Sequence, residues 1–218
     1  MALMYDTIMD LPLFKGIGVE QLSLMLEKTC INFENFNAGQ EIIKRGEQVK
    51  TVDFIIKGKV LQTHKFLKLN IIIEEILPDG SVLGADNLYG LTTHYPADIK
   101  AFDNVSIMRI GKEQYMDILM SHRIYLMNYL NFLSASAQRR ENLIINASSF
   151  SITNSLVKMA KSVVSPTAEQ VRIKASDKEL ADYLGVNSAD IVKWKKSINN
   201  HDYIKVDSDL ITITMKSK

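Results

Sequence analysis

At 218 residues, with Lys+Arg 26 against Asp+Glu 25 and a formal net charge of +1, the chain has the size of one large or two modest domains. Its 46% hydrophobic and 23% charged fractions are ordinary for a soluble globular protein, and no apolar run reaches the roughly 18–20 residues of a membrane span. One cysteine, Cys30, excludes an internal disulfide and cannot alone hold an iron–sulfur cluster.

The N-terminus, MALMYDTIMD, lacks a basic stretch ahead of a long apolar block, so no secretory signal is expected and the expected compartment is the cytoplasm. Residues 1–26 read as short helices, with Leu22, Leu24, Met25 and Leu26 following a break at Gly16-Ile17-Gly18. From about 31 to 110 the pattern changes to short β-rich runs, "DFIIKGKVLQTH", "NIIIEEIL" and "VSIMRI", punctuated by Gly39, Gly46, Gly58, Gly80 and Gly84. Such strands predict an antiparallel barrel or sandwich.

From Lys112 to about Ser148 there is neither Pro nor Gly, and one long helix is expected. Tyr115, Ile118, Leu119, His122, Tyr125, Leu126, Tyr129, Phe132, Leu133 and Ser136 recur at three- and four-residue steps. The first part of this stripe is expected to lie on its own β-domain. The later part, Tyr125, Leu126, Tyr129, Phe132, Leu133 and Ser136, is expected to pair with a second copy, because a helix between two domains has little of its own chain to lie on. Residues Asn146 to Ser151, small and polar apart from Phe150, suggest a hinge. The expected domains are therefore 1–111, 112–148 and 149–218. The fold class is α+β.

Division at the hinge also divides the charge. Residues 1–148 hold 15 Lys+Arg against 17 Asp+Glu, and residues 149–218 hold 11 against 8. A polyanion would therefore meet the C-terminal part. There a helix over Ser155–Val164 and the loop "SPTAEQ" precede "SDKELADYLGVNSADIVKWKK". Ser176 and Glu179 form a capping-box pattern that starts a helix. Leu180, Ala181 and Leu184 give that helix an apolar face, and Gly185 supplies the left-handed residue of a tight turn. Ile191, Trp194 and Ile198 form the buried stripe of the next helix. This is the spacing of a helix-turn-helix. The final "YIKVDSDLITITMK" reads as a β-hairpin and so makes a winged variant. An ordinary helical hairpin is the alternative, but it leaves the capping box, the glycine spacing, the wing and the run Lys193-Trp194-Lys195-Lys196 without a common cause.

In a winged helix-turn-helix the second helix enters the major groove. Its candidate base-reading residues are Asn187, Ser188, Ala189, Asp190, Val192 and Lys193. Lys193 can donate to guanine, Ser188 can serve either base, and Ala189 or Val192 can meet a thymine methyl. Asp190 can accept from a cytosine amino group. Sequence-independent contacts are expected from Ser176, Lys178, Asn187, Lys195, Lys196 and the wing residue Lys205.

A glycine-punctuated β-domain, a long helix, a hinge and a winged helix-turn-helix, in this order, resemble the cyclic-AMP receptor/fumarate-nitrate regulator (CRP/FNR) family of bacterial transcription factors. Three segments carry the likeness: "RGEQVKTVDFIIKGKV", "ILPDGSVLGADNLYG" and "ASDKELADYLGVNSADIVKW". The resemblance implies a cyclic-nucleotide-binding-like, cupin-like β-barrel, a dimerisation helix, binding to double-stranded DNA as a homodimer, and contact with RNA polymerase. Two departures stand out. Where nucleotide-binding members have Gly-Glu and Arg-Ser/Thr-Ala, this chain has Gly84-Ala85, with Asp86 next, and Tyr95-Pro96-Ala97. A buried phosphate without its cation is costly, and neither His94 nor Lys100 offers a two-pronged fork. The effector pocket is thus expected to be degenerate and not to bind cyclic AMP; another small effector stays open. No cofactor is expected. The recognition helix also lacks the family's arginines, with Ser188 and Lys193 in their places.

The four histidines, His64, His94, His122 and His201, show no metal-ligand spacing, and no P-loop, Gly-x-Ser-x-Gly or dinucleotide fingerprint occurs. An enzyme is not expected. The competing reading is a small-ligand or partner-protein module that has lost sequence-specific DNA binding, which Ala189 and Asp190 favour.

Overall fold

The computed structural model describes residues 2–145, 151–198 and 203–215. In chain order the elements are helices α1 (Ala2–Asp10) and α2 (Val19–Lys28), then strands β1 (Ile31–Phe36), β2 (Glu41–Ile43), β3 (Thr51–Lys57), β4 (Val60–Phe66), β5 (Ile71–Leu77) and β6 (Val82–Leu83). After a 3-10 turn (Ala85–Asn87) come β7 (Asp98–Ala101), β8 (Val105–Gly111), α3 (Lys112–Ser121), α4 (Arg123–Ile145) and α5 (Ile152–Val163). The last are β9 (Gln170–Lys174), α6 (Asp177–Leu184), α7 (Ser188–Ser197), β10 (Ile204–Asp207) and β11 (Leu210–Thr214). Two compact units result, Met1–Val60 with Pro78–Gln138, and Leu61–Leu77 with Arg139–Lys218. The hinge expected over 146–151 lies, Ser151 apart, outside the described residues.

In the first unit, β1, β8, β3 and β6 form an antiparallel sheet in that order, and β2 pairs with β7. The described strands do not close into the expected barrel. Closure needs every strand to be bonded on both sides with a continuous stagger, and β6 has only two residues and β2 three. One sheet face carries Phe54, which meets the Phe14 ring at 5.2 Å between centroids. Phe14 in turn packs edge-on to Tyr125 at 6.0 Å.

The other face holds a buried charge. Asp53 is 1% exposed, and its Oδ2 accepts from Arg109 Nε at 3.0 Å, while Arg109 Nη1 donates to Glu34 at 2.8 Å. Burial raises the Asp53 carboxyl above its ordinary value, against the opposing pull of Arg109.

The expected single helix from Lys112 is two helices. His122 is extended, with φ −154 and ψ 134, and its Nδ1 accepts the Ile124 N–H at 3.2 Å. The imidazole thereby does the work of an N-cap, satisfying a donor that a helix start leaves open. Neither glycine nor proline marks this break.

The second unit is a five-strand antiparallel array, β10-β11-β9-β5-β4, with α5, α6 and α7. Strand β9 was not expected; "QVRIK" holds only two apolar residues and gains its strand character from partners on both sides. Its neighbours are β5, with Ile73 opposite Ile173, and β11, with Ile211 opposite Ile173. Val171, Ile173, Ile211 and Ile213 are buried with Leu156, Met159 and Ala160 of α5. The β4–β5 hairpin also buries Glu75 at 0% exposure; its two carboxylate oxygens meet His64 Nε2 at 3.0 Å and the Ser165 N–H at 2.6 Å.

Replacing His64 by Leu leaves a buried carboxylate oxygen without that partner, and should cost about 2–3 kcal/mol in urea unfolding; a loss under about 0.5 kcal/mol would contradict it. Asp53 yields a pH prediction. Its folded carboxyl binds the proton more tightly than the unfolded one, so its contribution is fully present below the ordinary 3.8 and is lost as pH rises through the higher folded value. Wild type should therefore lose stability relative to Asp53→Asn as pH rises from 3.8 through the raised folded value, and a constant difference would disprove this.

Candidate nucleic-acid interface and effector pocket

The start of α6 is set by side chains. Ser176 Oγ accepts the Glu179 N–H at 3.3 Å, and Glu179 Oε2 accepts the Ser176 N–H at 2.7 Å. Asn70, from the β4–β5 hairpin, also donates to Glu179, and these bonds hold its carboxyl below the usual range. Gly185 ends α6 at φ 66 and ψ 35, where a Cβ is disfavoured. The Val186 N–H then returns to Ala181 O at 3.1 Å.

Helix α7 starts at Asn187, whose backbone is extended and whose side chain makes no cap bond. Two stripes follow. Ile191 and Ile198 are buried, and Trp194 Nε1 donates to Thr153 Oγ1 of α5 at 2.8 Å. On the other side Ser188, Ala189, Val192, Lys193 and Lys196 are exposed, at the three- and four-residue steps of one helix face. Asn187, Lys178 and Lys205 are exposed as well, whereas Ser176 and Asp190 are half-buried.

Lys195 differs from the expectation. Its side chain is only 13% exposed, with Nζ at 2.5 Å from Asp177 Oδ1 and 2.6 Å from Ser208 O. It turns inward because position 195 lies beside Trp194 on the buried stripe, and its ammonium finds partners at the start of α6 and in the β10–β11 turn. A shallow cleft of about 270 Å³ is lined here by Asp177, Lys195, Lys196, Val206, Ser208 and Asp209. The sequence offered only an acid and a base on neighbouring helices, a pattern too common to mark a contact.

In the first unit the expected effector residues do meet. Gly84 is left-handed, with φ 79 and ψ −11, and leads into the 3-10 turn. A Cβ there would lie 2.9 Å from Tyr95 Oη and 3.1 Å from Thr51 O, so the Tyr95 phenol abuts the Gly84 backbone. Tyr95 is 7% exposed, hydrogen-bonds the Thr51 side chain, and is kept neutral by burial, which pushes its phenol up. Ala85 and Ala97 are buried, while Asp86 and Pro96 are exposed. His94 and Lys100 are exposed too, and Arg109 is held by Asp53 and Glu34.

Two residues assigned to a seam with a second copy lie inside their own unit. Tyr125 is 3% exposed against Phe14 and His122. Tyr129 is 5% exposed, with edge-on contacts to Tyr115 and Tyr89, and donates its O–H to Ala85 O at 2.9 Å. The unit's own rings and a buried carbonyl offer these tyrosines partners that periodicity cannot reveal. Leu126, Met127 and Leu130 of α4 are exposed, and Phe132, Leu133 and Ser136 are half-exposed.

Among the described residues no helix is long and apolar enough to cross a membrane. Residues 33–122 match the family model "Cyclic nucleotide-binding domain". No curated protein sequence matches the chain. Among solved structures, the catabolite activator protein of Thermus thermophilus is similar at 18% identity over 93% of each chain, with a TM-score of 0.55. The sensor domain of the transcriptional regulator DNR from Pseudomonas aeruginosa is 19% identical, over 67% of this chain and 99% of that one, at 0.51. Residues 33–122 thus match a cyclic-nucleotide-binding domain, in a chain whose fold is similar to that of the Thermus thermophilus catabolite activator protein.

Proposed function

We propose that the chain is a homodimeric, DNA-binding transcription regulator of the cytoplasm. In this reading α6 and α7 are a helix-turn-helix, β10–β11 is its wing, and α7 lies in the major groove. The observation that carries it is the exposed stripe Ser188, Ala189, Val192, Lys193 and Lys196, mounted on a helix that is buried along its opposite side. Lys193 and Ser188 can hydrogen-bond base edges, and Val192, 38% exposed, can meet a thymine methyl. Asn187, Lys178, Lys196 and Lys205 supply backbone contacts, and the half-buried Asp190 sits at the edge of the stripe. The thermophile activator and the DNR sensor domain, both from proteins named as regulators, support the reading by shared fold. RNA polymerase is the expected protein partner of the DNA-bound form.

Dimerisation is assigned to the outward side of α4. Leu126, Met127 and Leu130 are 37%, 42% and 46% exposed on a helix whose Tyr125 and Tyr129 are already used. Apolar residues at this spacing stand idle in water and pair well with a second helix. The pocket is assigned no cyclic nucleotide, because Tyr95 fills the space against Gly84 and brings no positive charge. A desolvated phosphate there would lack a counter-ion.

Selection of bound sites from random DNA should return a two-fold symmetric sequence with half-site centres roughly 34 Å apart. No enrichment would favour the module that has lost DNA binding. Lys193→Ala should weaken binding to the selected site about 10-fold or more beyond its effect on random DNA; equal losses would remove Lys193 as a base reader. Leu126→Glu with Leu130→Glu should convert the dimer to monomer in sedimentation. In calorimetric titration, cyclic AMP and cyclic GMP should give no micromolar binding, and either doing so would refute the filled pocket.

A further inference from the structure

Lys195 lies between two elements that the proposed interface needs in a fixed relation. Asp177 is the first residue of α6, where the helix dipole favours a carboxylate. Ser208 is in the β10–β11 turn at φ 51, a left-handed conformation uncommon outside glycine. One ammonium touches both, at 2.5 Å and 2.6 Å. The same turn is held from its other side by the Ala175 N–H, which donates to Asp209 O at 3.0 Å.

We propose that Lys195 is a positioning residue, fastening the β10–β11 turn to α6 and α7, and makes no contact with phosphate. This rests on the DNA-binding reading above for its purpose, but not for its geometry. Fastening and phosphate contact compete, since two of the three ammonium donors are taken and the side chain is only 13% exposed. An ammonium that left for a phosphate would strand the Asp177 carboxylate, which is 34% exposed, and would take the donor from Ser208 O. The neighbouring Lys196 lies on the exposed stripe and takes the phosphate role. What Lys195 sets is where the hairpin, with Lys205 on β10, stands relative to the bases read from α7.

The test compares the full chain with its Lys195→Met, Asp177→Asn and Lys196→Ala variants. Amide hydrogen exchange in the free protein should quicken about 10-fold over residues 206–210 in the first two variants and stay unchanged in the third. Affinity for the selected site should fall in both Lys195→Met and Asp177→Asn, with the salt slope of wild type retained. Lys196→Ala should instead lower the slope by about 0.9. Loss of about 0.9 in slope for Lys195→Met, with tighter binding by Asp177→Asn, would make Lys195 a phosphate contact and overturn the proposal. Unchanged exchange in both variants would overturn it as well. If Lys195→Met does not fold, Asp177→Asn carries both measurements, since it removes the charge that holds the same ammonium. Failure of wild type to bind any DNA would sink the regulator reading alone, and the exchange data would still decide whether the turn is fastened.

Discussion

Strand β9 is the part on which the second unit depends. Its backbone is hydrogen-bonded to β5 along one edge and to β11 along the other. Buried backbone donors and acceptors must be paired, so a five-residue strand between two neighbours can hold five strands in one array. Val171 and Ile173 of β9 are buried, as are Leu156 and Met159 of α5. Through Trp194 and Thr153, α5 fixes α7 in turn.

That sheet also takes in β4 and β5, whose sequence lies within the residues matched as a cyclic-nucleotide-binding domain. Glu74 holds Lys174 of β9 at 2.6 Å, Glu75 holds the Ser165 N–H, and Asn70 donates to the capping carboxylate Glu179. Residues within the stretch matched as a cyclic-nucleotide-binding domain thus share side-chain bonds with the first turn of α6.

Charge is spent in the same way in both units. Arg109 answers Asp53 and Glu34, His64 faces Glu75, and Lys195 answers Asp177. These buried or half-buried carboxylates each face a basic side chain, because removing a carboxylate from water is costly without a partner. Lys178, Lys193, Lys196 and Lys205 of α6, α7 and β10 remain on the surface. Net charge counts both kinds alike, which is why +1 says so little.

The sequence by itself determined the local units. Ser176 with Glu179, and Gly185 at the turn, fix the beginning and end of α6 through bonds spanning three or four residues. The inward stripe of α7 followed from periodicity, and the motif alignment named Gly84 and Tyr95, whose backbone and phenol abut. Only the tertiary structure decided the rest. It broke the long helix at His122, recruited β9, turned Tyr125 and Tyr129 inward and withdrew Lys195 from the surface. Each of these depends on a partner distant in the chain or on a side chain in an uncommon role: Gln21 beside His122, Phe14 beside Tyr125, Ala85 below Tyr129, Ser208 beside Lys195. Periodicity shows that a residue has an inward or an outward face, whereas what it meets there is set by the packing of distant segments.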